Sequence, residues 1–251
     1  MTYYEWKKQL IDNYRKDKEN DMKQFGIYEI DDSTDIGKNL ICANIFGTNS
    51  NELLQNIMTS DQSKAVIIGF GGNSNLHLGH LLLVNELMFY LNNFKKVKFY
   101  FVNLEVDSDK GFVYKIMKIL ENLNYKVDYE IIDYKNLETL KLKKKIAQSL
   151  NINTVNRVMG WENNDLQSYE KMLDMVTTFA LGSVLKEKES IVITDINQKT
   201  YYALYKHIEN KLKNNSICFV YHILMSSLKS PFERMSIKKA KSLIYELVNK
   251  K

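Results

Sequence analysis

Residues 65–80, AVIIGFGGNSNLHLGH, constrain the fold more than any other part of the chain. Residues 65–68 form a short apolar run rich in β-branched side chains, the composition of a strand buried on both faces. Gly69, Gly71 and Gly72 then remove side chains where the backbone must turn sharply and let a ligand come close. From His77 an apolar periodicity begins, carried by Leu81, Leu82, Val84, Leu87, Met88 and Leu91, and it predicts a helix to about residue 92. A strand, a glycine turn and a helix N-terminus together make an anion site, because first-turn N–H groups lack partners and the helix dipole turns its positive end outward. His77 and His80 are two of only four histidines in the chain, and their spacing sets both on one face of that first turn.

The same alternation continues along the chain. Residues 97–102 read as a second strand, and 109–123 as a helix on Phe112, Val113, Ile116, Ile119, Leu120 and Leu123. A third strand is predicted over 127–132 and a basic helix over 136–150. Residues 154–186 are helical in pattern, broken at Gly160 and at Asn163-Asn164. A fourth strand (191–193), a helix (198–212), a fifth strand (217–221), a loop (226–234) and a helix (236 to about 248) complete the pattern. Strands alternating with helices give an α/β fold: a doubly wound, parallel five-stranded Rossmann-like sheet with right-handed crossovers and an inserted helical segment. Before it, residues 2–24 predict an exposed helix whose Tyr3, Tyr4, Trp6 and Tyr14 cover the domain or meet a partner. Residues 27–48 show no clear period and read as connection, and 51–58 as a short helix. The expected organisation is a single domain over 1–251, with residues 1–60 as a helical and irregular segment packed on it.

Composition narrows the function class. With 45% hydrophobic and 26% charged residues, the 251-residue chain matches an ordinary globular protein. No window approaches the roughly 18 apolar residues of a membrane span, and residues 1–10 lack a signal-peptide core. Cys42 and Cys218 lie far apart and match no metal or redox spacing, so a reduced, cytoplasmic protein without a resident metal site is expected. The net charge of +5 permits a nucleic-acid partner without requiring one. The densest basic runs, at 141–145 and 238–251, read first as solvated helix faces.

His77-Leu-Gly-His80 resembles the His-x-Gly-His signature of class I aminoacyl-tRNA synthetases. Arg234-Met-Ser-Ile-Lys238 resembles their second signature, Lys-Met-Ser-Lys-Ser, and the two stand in the family's order. Lys23-Gln-Phe-Gly26 with Ile30-Asp31, Asn156-Arg-Val-Met-Gly160 and Ile196-Asn-Gln-Lys-Thr-Tyr-Tyr202 are similar to further segments of the archaeal and eukaryotic type of tryptophanyl-tRNA synthetase. The resemblance spans about residues 22–240.

It implies activation of an amino acid by ATP and Mg²⁺ as an aminoacyl-adenylate, followed by transfer to tRNA or another acceptor. His77, His80, Arg234 and Lys238 would be catalytic. Gly69, Gly71, Gly72, Gly79, Met235, Ser236 and Lys239 would hold ATP. Asn103, Asp174, Thr178, Asp195, Gln198 and Tyr201 would line the amino-acid pocket. The family's two-fold dimer implies a homodimer, with Phe112, Val113 and Met117 offering apolar surface. The chain departs from the pattern where Ile67 or Ile68 stands near a tyrosine, Asn103 replaces a glutamine, and Thr178 falls near another. Gln198 is kept, Lys206 takes the place of an arginine, and Arg234 that of the first loop lysine. A pocket with fewer groups bonded to its ligand discriminates less. The helical anticodon-binding domain of the family is not expected after residue 240, so tRNA recognition without the anticodon follows. The alternatives are a tryptophan–tRNA ligase proper, a non-catalytic adenylate-binding paralogue, or another nucleotidyl transferase sharing the first signature.

Overall fold

The computed structural model describes residues 2–70, 78–104, 110–133, 136–161, 166–212 and 216–223. Helix α1 (Tyr3–Phe25) starts at a reciprocal cap, in which Glu5 N–H donates to Thr2 Oγ1 and Thr2 N–H to Glu5 Oε2, and stops at Gly26, whose φ of 63° suits glycine. Ile11 and Met22 are buried beneath it, and the Arg15 guanidinium donates twice to the Phe46 carbonyl, at 3.0 and 2.8 Å. Tyr14 packs edge-on against Phe46, but Tyr3 and Trp6 remain exposed instead of covering the domain.

The region without a clear period folds into β1 (Tyr28–Glu29), α2 (Asp35–Cys42) and β2 (Ile45–Thr48), with α3 (Asn51–Thr59) after them. The Rossmann unit follows: β3 (Lys64–Phe70), α4 (Leu78–Asn93), β4 (Val97–Asn103), α5 (Gly111–Asn122), β5 (Asp128–Ile132), α6 (Leu137–Ser149), α7 (Ile152–Met159), α8 (Leu166–Ala180), β6 (Glu189–Thr194), α9 (Lys199–Ile208) and β7 (Ser216–His222). Short 3₁₀ turns precede and follow α9, at Ile196–Gln198 and Glu209–Lys211, so the helix is shorter than its periodicity suggests. The expected break at Asn163-Asn164 and the helix over 236–248 lie outside the described residues.

The sheet runs β1-β2-β7-β6-β3-β4-β5. Its five strands β7, β6, β3, β4 and β5 are parallel, as the alternation predicts, and the chain reverses its direction of travel across the sheet between β3 and β6. The sheet is wider than the sequence suggested, because β1 and β2 extend it antiparallel beyond β7. Val66, Ile67, Phe99, Phe101, Ile191, Phe219 and Val220 have at most 1% exposure, as expected of strands covered on both faces. Each such side chain contributes roughly 1.5–3 kcal/mol of apolar transfer free energy.

Phe112, Val113 and Met117 are buried too. These residues, expected to present a dimer surface, instead pack into the chain's own core, because the apolar stripe of α5 faces inward. Among the described residues no helix is long and apolar enough to cross a membrane.

Candidate active site

In an open α/β sheet the ligand crevice lies beyond the carboxyl ends of the strands, where the strand order reverses. Here that point is the β3/β6 boundary. The register keeps the strand ends level: Phe70 of β3 pairs with Asn103 of β4, and Thr194 of β6 with Tyr221 of β7.

Gly69 sits one residue before the end of β3. A Cβ there would lie 3.2 Å from Leu104 Cδ1 and 3.6 Å from Thr178 Cγ2, so the absent side chain lets α8 and residue 104 close over the strand. Leu104 is held by its N–H, which donates to the Phe70 carbonyl at 2.7 Å. Thr178 is buried with its hydroxyl donating to the Asp174 carbonyl one turn earlier, at 2.9 Å. Asn103 ends β4 at 4% exposure. His80 stands in the first turn of α4, its ring edge-on to Phe112 with centroids 4.7 Å apart, and Phe112 stacks on Phe70 at 5.8 Å. The two rings thus fix the histidine helix to the end of the central strand. Gly79 lies beside it, as the second residue of α4.

On the β6 side, Asp195 caps the 3₁₀ turn, accepting the Asn197 N–H at 2.7 Å. Gln198 Oε1 accepts the Thr194 hydroxyl at 2.6 Å, which fixes the rotamer of the glutamine that matches the family pattern. Asp195 is nearly buried, and with burial as the main cause its charge helps raise the Tyr14 phenol well above the usual tyrosine range. Tyr14 of α1 therefore belongs to the same neighbourhood. Lys199 pairs with Asp21 of α1 and lies over the Phe25 ring at 5.5 Å, a second tie between α1 and this edge. Tyr201 is half-buried, and burial raises its phenol.

Asp174, expected to line the amino-acid pocket, also forms an ion pair: its Oδ1 lies 2.6 Å from Lys143 Nζ of α6. Burial raises its carboxyl above the ordinary range even though Lys143 pulls the other way.

Gly69, His80, Asn103 and Thr178 are thus gathered at the ends of β3 and β4, and Asp195 and Gln198 at the end of β6. Gly71, Gly72 and His77, together with Arg234, Met235, Ser236, Lys238 and Lys239, lie outside the described residues. The sequence reading missed Thr194, Lys143 and, at the end of β7, His222, whose Nδ1 is 3.2 Å from the buried Glu86 carboxyl. Glu86 was detectable as the one acid within the apolar run of α4. For magnesium, no group of three or more histidine, cysteine or acidic side chains is close enough among the described residues to hold a metal ion.

No protein-family model matches the chain, and no curated protein matches it either. Solved structures do match. The tryptophanyl-tRNA synthetase from Encephalitozoon cuniculi, bound to tryptophan, superposes with a TM-score of 0.63 at 15% identity, over 84% of this chain and 70% of that one. The tryptophanyl-tRNA synthetase from the archaeon Aeropyrum pernix gives a TM-score of 0.63 at 15% identity, over 92% and 72%. The fold is that of these synthetases. The tyrosyl-tRNA synthetase from Archaeoglobus fulgidus, complexed with L-tyrosine, shares it with a TM-score of 0.56 at 18% identity, over 82% and 69%. The synthetase-like fold agrees with the ordered signatures, while identities this low speak for architecture and not for substrate.

Proposed function

We propose that the chain is an aminoacyl-tRNA synthetase-like ligase that activates an amino acid with ATP. A carboxylate oxygen of the amino acid attacks the α-phosphorus, the bond to the β-phosphate bridging oxygen breaks, and pyrophosphate leaves with its electron pair. The observation that carries this reading is the position of His80, in the first turn of the helix after the central strand and packed through Phe112 onto that strand's end.

Such a transfer asks mainly for positioning and for charge stabilisation. Gly69, Gly71, Gly72, Gly79 and the α4 N-terminus would receive the phosphates, and His77 and His80 would donate hydrogen bonds as charge develops. Arg234, Lys238 and Lys239, with Met235 and Ser236 shaping their segment, would bring cationic charge to the departing pyrophosphate. Magnesium would neutralise the phosphates. Asn103, Asp174, Thr178, Asp195, Gln198 and Tyr201 would surround the amino acid, with Asp174 paired to Lys143. Tryptophan and tyrosine are the first amino acids to test, because solved proteins of this fold carry them. The adenylate would pass to tRNA or to another nucleophilic acceptor.

The test is amino-acid-dependent exchange of labelled pyrophosphate into ATP, screened over all twenty amino acids. Exchange with one amino acid or a few is the expected result. Its absence with all twenty, at millimolar ATP and magnesium, would overturn the proposal.

A further inference from the structure

Glu86 has no exposed surface, although it lies in the middle of α4 among Leu83, Val84, Leu87, Phe89 and Tyr90, all buried. Its Oε1 is 3.4 Å from the hydroxyl of Tyr90, itself fully buried, and its Oε2 is 3.2 Å from Nδ1 of His222. Taking a carboxyl group out of water is costly, and a well-packed apolar side chain of similar volume serves stability as well or better. A buried acid therefore points to a task other than holding the helix in place.

His222 shows what the task is. It is the last residue of β7, one beyond the Tyr221 that pairs with Thr194, so it stands at the carboxyl edge beside the Asp195–Gln198 turn. Its side chain is 21% exposed while that of Glu86 is sealed, so the ring stands between the buried acid and the protein surface. Twelve residues further along the chain comes Arg234. The contact thus joins the helix that opens with His80 to the strand that leads into the second signature segment.

We propose that His222 is a further ligand-binding residue of this edge, contacting the anionic polyphosphate of the nucleotide or the departing pyrophosphate, and that Glu86 is its positioning residue. Glu86 accepts the Nδ1–H, which sets the ring plane and directs Nε2 toward the crevice, as a carboxylate does for other functional imidazoles. Tyr90 restrains the opposite carboxyl oxygen. This inference rests on the ATP-dependent reading above, and the test separates the two.

The full chain is labelled with ¹⁵N-histidine, and the His222 signals are identified by their loss in His222→Gln; four histidines keep the spectrum simple. Saturating ATP, and separately pyrophosphate, should move the His222 nitrogens, and Glu86→Gln should remove that response. In pyrophosphate exchange, Glu86→Gln and His222→Gln should each lower kcat about ten-fold, with the KM for ATP within about two-fold. The double variant should lose no more than either single one, because both act through one ring. If His80 signals respond to ATP and those of His222 do not, the proposal is overturned and the ATP reading stands. If no histidine signal responds to ATP, both fall. Should Glu86→Gln fail to fold, the unsubstituted chain and His222→Gln decide the matter by the same criteria.

Discussion

The two ends of the same parallel strands treat their polar side chains in opposite ways. At the amino end, charges are matched inside the sheet. Lys64 opens β3 at 2% exposure, and its Nζ lies 3.3 Å from Glu189, the register partner that opens β6. The same ammonium donates to Ser60 Oγ at 2.9 Å and to the Gln62 carbonyl at 2.7 Å. Lys98 and Glu130 bridge β4 to β5 at 2.7 Å, and the Tyr100 hydroxyl donates to Glu187 at 3.0 Å. A cavity of about 710 Å³ opens at this end, and three of the five lysines that line it, Lys64, Lys95 and Lys98, have carboxylate partners. At the carboxyl end, Asn103, Asp195, Gln198 and His222 sit where the strands stop, the last three held by partners that fix their orientation. Satisfied charge at one end aligns the strands; oriented polar groups at the other can meet a ligand.

The difference can be broken from either side. Lys64→Ala should have the largest effect, because it leaves the Glu189 carboxylate, only 17% exposed, without its cation and with the Ser60 hydroxyl as its hydrogen-bond donor at 2.6 Å. A loss of about 3 kcal/mol in urea unfolding is expected, with the KM for ATP unchanged. His80→Ala should do the reverse, lowering kcat for pyrophosphate exchange about 100-fold while the urea midpoint moves little. Thr194→Val frees Gln198 to swing, costing about 1 kcal/mol of stability, and should raise the KM for the amino acid while leaving that for ATP alone. Lys95→Ala, which removes a pair whose two side chains are about 80% exposed, should leave both the midpoint and the kinetics unchanged.

These effects also mark what the sequence could reveal. The parallel strands were legible because β-branched and aromatic runs such as 65–68 and 97–102 have few other uses. Strands β1 and β2 were not, since two and four residues are too few to display an alternation. The apolar stripe of α5 was read correctly as a stripe, but periodicity shows which residues share a face and not what covers it, so Phe112, Val113 and Met117 were misassigned to the surface. At the candidate site, the glycines and His80 stood out because they fall at an element boundary. Asp174 was named without its partner, because Lys143 is brought to it only by the packing of α6 on α8. Glu86 and His222 are 136 residues apart in sequence, and only the neighbouring positions of α4 and β7 bring them together.

Hydrogen–deuterium exchange of the full chain, with and without ATP and magnesium, tests the central claim most directly. Protection is expected at the end of β3, the first turn of α4, residues 103–104 and the Asp195–Gln198 turn, with none at Lys64, Lys95–Lys98 or Lys126–Asp128. Protection confined to the lysine-lined amino end, or none at either end, would contradict the assignment of the carboxyl edge as the active one.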